Sequence, residues 1–165
     1  MKKIFFGSPY LVFVSNSTII EPHPNGKKFI CAYNGLLDLY ELQEINSAIH
    51  KKSQYYHFPK ISVPGGGVQY IYEKDNIFGF FDAKSDHEYI YLLYCSKTEK
   101  EVGREFYSGN QIRIFDWELN PVVLLDLNKE IISMDIDYGK IFGISYDFVA
   151  LSTFAIPNLE KKQHP

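Results

Sequence analysis

Three short segments of this chain line up with one another: Phe29-Ile30-Cys31-Ala32-Tyr33-Asn34, Ile90-Tyr91-Leu92-Leu93-Tyr94-Cys95 and Ile141-Phe142-Gly143-Ile144-Ser145-Tyr146. Internal repetition constrains a fold more than any single motif. Each copy must be one structural unit that buries its face on the next copy. Each segment is a run of strand length rich in apolar and aromatic side chains, and each follows a polar turn. The turns are Pro24-Asn25-Gly26, Ser85-Asp86-His87 and Asp137-Tyr138-Gly139, where Gly or Asp supplies the backbone freedom of a tight reversal.

A second strand follows each copy, at 37–42, 112–117 and, more faintly, 151–156. The first two read apolar, charged, apolar, aromatic, acidic, apolar, which sets Leu37 and Leu39, and Ile112 and Ile114, on one face. Earlier strands are expected at 18–21, 77–81 and 132–136, and later ones at 55–58 running on to 61–63 and at 121–127. The predicted unit is a sheet of four short antiparallel strands recurring about every fifty residues, which is how propeller blades read. The fold class is therefore all-β, with about three four-stranded antiparallel β-propeller blades. One domain is expected over 1–165, with blades near 16–63, 77–127 and 131–156. The third blade lacks its last strand, and residues 1–15, with Tyr10-Leu11-Val12-Phe13-Val14, read as a strand that closes a blade. The connections are read as a short helix over 42–52, from Leu42, Ile45, Ala48 and Ile49, a long charged loop over 96–110, and a turn at Glu118-Leu119-Asn120-Pro121.

Composition agrees with sheet. Tyr and Phe number 13 each, and aromatic side chains suit a pleated, half-buried surface. The formal net charge of -3, from 17 basic and 20 acidic residues, argues against a sequence-independent nucleic-acid binder. No apolar run nears the ~20 residues of a membrane-spanning helix. The basic start, Met1-Lys2-Lys3, leads into an apolar run that Gly7-Ser8-Pro9 cuts short, with no small-x-small cleavage site after it, so no export signal is expected. Cys31 and Cys95 are too few and too far apart for a disulfide framework or a zinc site, and read as buried, unbridged thiols.

The runs Tyr89 to Lys97, Gly109 to Trp117, Asn120-Pro121-Val122, Leu127 to Ser133 and Lys140 to Tyr146 resemble the TolB-like six-bladed propeller proteins of gut bacteria. The likeness is good over about 77–156 and thinner over 16–63. It implies a six-bladed ring, often exported and lipid-anchored, which would place the protein in the periplasm or at the outer membrane. It brings no established chemistry and no functional residues. This chain departs from the family in having about half the expected length, which also allows that it is a remnant of a longer propeller.

Candidate sites are sparse, and no catalytic residue or cofactor is indicated. Lys97, Arg104 and Tyr107 in the charged loop, with Trp117 beside it, form one candidate ligand surface, since loops on a rigid scaffold often bind. The ligand would be a protein or a glycan, with Tyr107 and Trp117 as the aromatic platform. Asp135 and Asp137, two apart on a strand, share a face and are candidate ligands for a hard cation. Gly65-Gly66-Gly67 lacks the Lys-Ser/Thr ending of a phosphate loop and reads as a turn. The first functional expectation is a non-catalytic binding or scaffold propeller, closed into a ring of six blades by a homodimer. The alternative is a hydrolase or lyase with Asp82, Asp135 and Asp137 at the channel.

Overall fold

The computed structural model describes residues 18–44, 47–57, 61–62, 71–72, 75–102, 108–147 and 150–159. Polar turns separate alternating strands, and adjacent strands pair antiparallel throughout. The first sheet contains β1 (Ile19–Pro22), β2 (Lys28–Tyr33), β3 (Leu36–Glu44) and β4 (Ser47–Tyr55), in that order. Two short strands, β5 (Ile61–Ser62) and β6 (Ile71–Tyr72), pair with each other. The second sheet contains β7 (Ile77–Ser85), β8 (Tyr89–Thr98), β9 (Gly109–Asp116) and β10 (Pro121–Ile131), with the short helix α1 (Glu99–Val102) after β8. The third contains β11 (Ser133–Asp137), β12 (Lys140–Ile144) and β13 (Leu151–Ala155).

The three aligned segments fall on β2, β8 and β12, the second strand of each sheet. Their turns also follow the sequence. Asn25 Oδ1 accepts the Lys27 amide at 2.9 Å, and Asp86 Oδ1 accepts the amides of Glu88 and Tyr89, both at 2.7 Å. Tyr138 and Gly139 have φ of 47° and 69°, the two positive values that a two-residue hairpin turn requires.

The sheets stack face to face around two cores. Ile30, Ala32, Leu37 and Leu39 of the first sheet pack with Ile90, Leu92, Phe115 and Leu119 of the second. On its other face the second sheet sets Leu93, Ile112 and Ile114 against Met134 and Ile141 of the third. Inner strands touch along one side: β7 contacts both β1 and β11. Gly79 permits the tightest approach. Its φ of 76° and missing Cβ let the Phe80 amide donate to the Asn34 carbonyl at 2.6 Å, joining the first sheet to the second.

Three expectations need correction. The described residues of 42–52 are strand and not helix: β3 runs through Glu44 and β4 pairs along it, with Glu41 opposite Ile49 and Leu42 opposite Ala48. Pairing satisfies the hydrogen-bonding edge of β3, which outweighs four apolar residues at helical spacing. The last strand of the first blade is consequently β4, not 55–58 continuing to 61–63. Finally, 96–110 is partly regular, because β8 continues through Thr98 and a capping box starts α1. Glu101 Oε2 accepts the Thr98 amide at 2.7 Å, and Thr98 Oγ1 accepts the Glu101 amide at 3.3 Å. The expected strand at 10–14, Gly65-Gly66-Gly67, Arg104 and Tyr107 lie outside the described residues.

Candidate functional site

Adjacent inner strands bring together a row of polar side chains from three sheets. Asp82, on β7, uses its carboxylate between the second and third sheets. Its Oδ2 accepts Ser133 Oγ at 2.9 Å and the Met134 amide at 2.7 Å, and its Oδ1 accepts the Ala83 amide at 2.9 Å. Ser85, at the end of the same strand, donates to Glu21 Oε1 of β1 at 2.8 Å. Burial pushes the Glu21 carboxyl up, partly offset by that hydrogen bond and by the Lys84 charge. Asp135 and Asp137 lie two apart on the exposed face of β11, opposite Phe142 and Lys140. They do not join Asp82 as a ligand set: among the described residues no three His, Cys, Asp or Glu side chains gather as metal ligands would.

A second polar group lies on the outer face of the first sheet. Asp38 on β3 is directly opposite Ser53 on β4, and His50 is opposite Tyr40. Ser53 Oγ donates to Asp38 Oδ1 at 2.5 Å and meets His50 Nε2 at 2.8 Å. The residue types are those of a nucleophilic triad, but the order is not. In a triad the imidazole takes the serine proton while the carboxylate holds its other nitrogen. Here the Ser53 proton goes to Asp38, and His50 Nε2 also lies 3.5 Å from Asp38 Oδ1. The arrangement orders three side chains without activating the hydroxyl. Burial and the Asp38 charge push the neighbouring Cys31 thiol up to about 12 and raise Tyr40 as well. Sequence reading missed this group because it placed His50 on a helix. Pairing 47–55 with β3 would have found it.

A third group sits between the first and second sheets. The Arg113 guanidinium, on β9, lies 4.0 Å from the Tyr94 ring centroid and 4.7 Å from that of Tyr56. His57 Nε2 lies 3.2 Å from the Ile77 carbonyl, which can only accept, so this nitrogen carries the proton. Nδ1 then accepts the Tyr94 hydroxyl at 3.3 Å. Burial, with the nearby Arg113 charge, lowers His57 and keeps the ring neutral.

The residues singled out in the charged loop are placed differently. Lys97 pairs with Glu130, which also accepts Ser108 Oγ at 2.9 Å, so Lys97 fastens β8 to β10. Trp117 is 4% exposed, donates Nε1–H to the Asp86 carbonyl at 3.0 Å and packs on the His23 ring at 4.6 Å. Its ring is taken up between the first two sheets. The two free thiols are both buried.

The model of a family described as TolB-like 6-blade propeller-like matches residues 12–139. The chain belongs to this family. No curated protein matches it. Within a TolB-like propeller the three face-to-face sheets are blades, and β1, β7 and β11 are their inner strands. Asp82 is thus an inner-strand residue that ties one blade of the TolB-like chain to the next. Among the described residues no helix is long and apolar enough to cross a membrane.

Proposed function

We propose that this TolB-like chain is a non-catalytic binding or scaffold propeller. The observation that carries the reading is Asp82: its carboxylate accepts two donors across a blade interface, Ser133 Oγ and the Met134 amide, and a third, the Ala83 amide, from its own strand, and so holds two sheets in register. A carboxylate working as acid, base or metal ligand keeps a lone pair for its substrate or ion. Asp82→Ala should therefore lower stability by about 1–3 kcal/mol, the range for orphaning buried donors. Urea denaturation checks this, and a variant as stable as the parent overturns it, since loss of a catalytic carboxylate commonly leaves stability unchanged or raised.

A second reading concerns the third sheet. Its outer face carries Phe142, Ile144, Leu151 and Ala155 beside Asp135, Asp137 and Lys140, and Ile144 and Leu151 are exposed. A propeller blade buries both faces, so this face suits another blade. A second copy of the chain supplies it, three blades joining three in the six that the family describes. Light scattering of the purified chain tests this: a dimer supports it and a monodisperse monomer overturns it.

A further inference from the structure

The outer edges of the three sheets are protected to different degrees. An edge strand presents unpaired amides and carbonyls, and charges, prolines and bulges keep other strands from joining it. In the first sheet the edge is β4, which carries His50, Lys51 and Lys52 and shifts register twice against β3. In the second it is β10, which begins with Pro121, carries Asp126, Lys129 and Glu130 and shifts register twice against β9. In the third it is β13, Leu151-Ser152-Thr153-Phe154-Ala155, which has no charge and no proline and runs in unbroken register with β12. Leu151, Thr153 and Ala155 are exposed, and among the described residues no strand pairs with the outer side of β13. Such an edge invites another strand.

Chain order says which strand. In the described sheets, the outermost strand of one sheet comes before the inner strand of the next. Ile132 alone separates β10 from β11, and β4 precedes β7 with only the two-residue strands β5 and β6 between them. A strand just ahead of β1 is by the same rule the outermost strand of the sheet before the first. Tyr10-Leu11-Val12-Phe13-Val14 is that run: it equals β13 in length, has no charge or proline, and ends four residues before β1. Five Cα steps from Val14 to Ile19 span at most about 18 Å. Sheets pack about 10 Å apart and strands about 5 Å, so the place beside β13, two sheets along and three strands outward from β1, lies more than about 20 Å away. A chain does not reach its own β13.

We propose that residues 10–14 of a second copy pair with β13 as the fourth strand of the third sheet, and that the exchange is mutual. This rests on the two-copy ring read above and adds the segment that fastens it.

Phe13→p-benzoylphenylalanine leaves the backbone amides in place and allows cross-linking by light. In an equilibrated mixture of isotope-heavy and light protein, the exchange should give cross-linked peptides that join 10–14 of one isotope to 151–155 of the other. Links within one isotope only overturn the second copy as the donor. A dimer with no link to β13 overturns the strand exchange and leaves the two-copy ring standing, whereas a monodisperse monomer overturns both. Leu11→Pro together with Val12→Pro removes the amide that faces β13 in either register, so it should raise the dimer dissociation constant by about tenfold or more while circular dichroism keeps its strand signal. An unchanged constant overturns the exchange, and the cross-link does not depend on how this variant folds.

Discussion

The second and third sheets are both built of consecutive antiparallel strands, yet they carry different burial. In β8 the seven residues from Tyr89 to Cys95 are all buried, because the sheet lies between two neighbours and both faces of the strand meet a core. In β13 burial alternates residue by residue, since one face packs on the second sheet and the other does not. The amino-acid pattern follows suit. Tyr89-Ile90-Tyr91-Leu92-Leu93-Tyr94-Cys95 is continuously apolar or aromatic, whereas Leu151-Ser152-Thr153-Phe154-Ala155 interleaves hydroxyls. A blade is therefore not a self-sufficient unit: how much it buries depends on how many neighbours it has.

The largest expected effect lies in the twice-covered sheet. Leu93 is 0% exposed against the third sheet, so Leu93→Ala should cost about 2–5 kcal/mol by leaving a cavity in a packed interface. Chemical denaturation reads it. A loss below about 1 kcal/mol would mean that the second sheet is no better packed than a surface strand.

The seam between the first and second sheets comes next. Gly79→Ala forces a side chain into positive φ and onto the Asn34 carbonyl, so about 1–3 kcal/mol should be lost. The same substitution at Gly26, where φ is also positive but nothing lies within 4 Å of the added carbon, separates close approach from backbone strain alone. Equal losses at both positions would remove the close approach from the account.

The first sheet extends the comparison to pH. Its Cys31 thiol is raised from 9.0 to about 12, mainly by burial. For a raised acid the stabilising contribution is complete below the unfolded value and is lost as pH climbs through the folded one. Stability measured in urea should hold up to about pH 9 and decline from there towards 12, and Cys31→Ala should flatten that decline. An unchanged slope would show that the thiol is not buried as described.

The smallest effect is expected at the outer face of the third sheet. Leu151 is 60% exposed, so Leu151→Ala in dilute, monomeric protein should change stability by no more than about 0.5 kcal/mol. Repeating the measurement at high concentration sharpens the contrast. If a second copy covers this face, the loss should grow with concentration, because burial then includes the partner.

Much of the architecture was legible because it rests on local rules. Period-2 alternation placed the inward faces of β3 and β9, and the Asn25, Asp86 and Gly139 turns announced the hairpins. The Thr98-x-x-Glu101 capping box was equally local and was overlooked inside a segment read as loop. The helix expected over 42–52 failed for a different reason: the helical spacing of four apolar residues counted for less than the hydrogen-bonding edge of β3, which β4 pairs.

The polar groups were not legible at all. Asp38 meets Ser53 and His50 only through the β3–β4 register, and Asp82 meets Ser133 from fifty-one positions away. Arg113 meets Tyr94 across adjacent strands of one sheet and finds Tyr56 only because two sheets stack. Sequence by itself determined that this chain makes strands, where they turn and which faces are apolar, since those follow from neighbouring residues. Tertiary structure alone decided which polar side chains are spent on holding blades together. That choice depends on distances between strands remote in sequence, which no local pattern encodes.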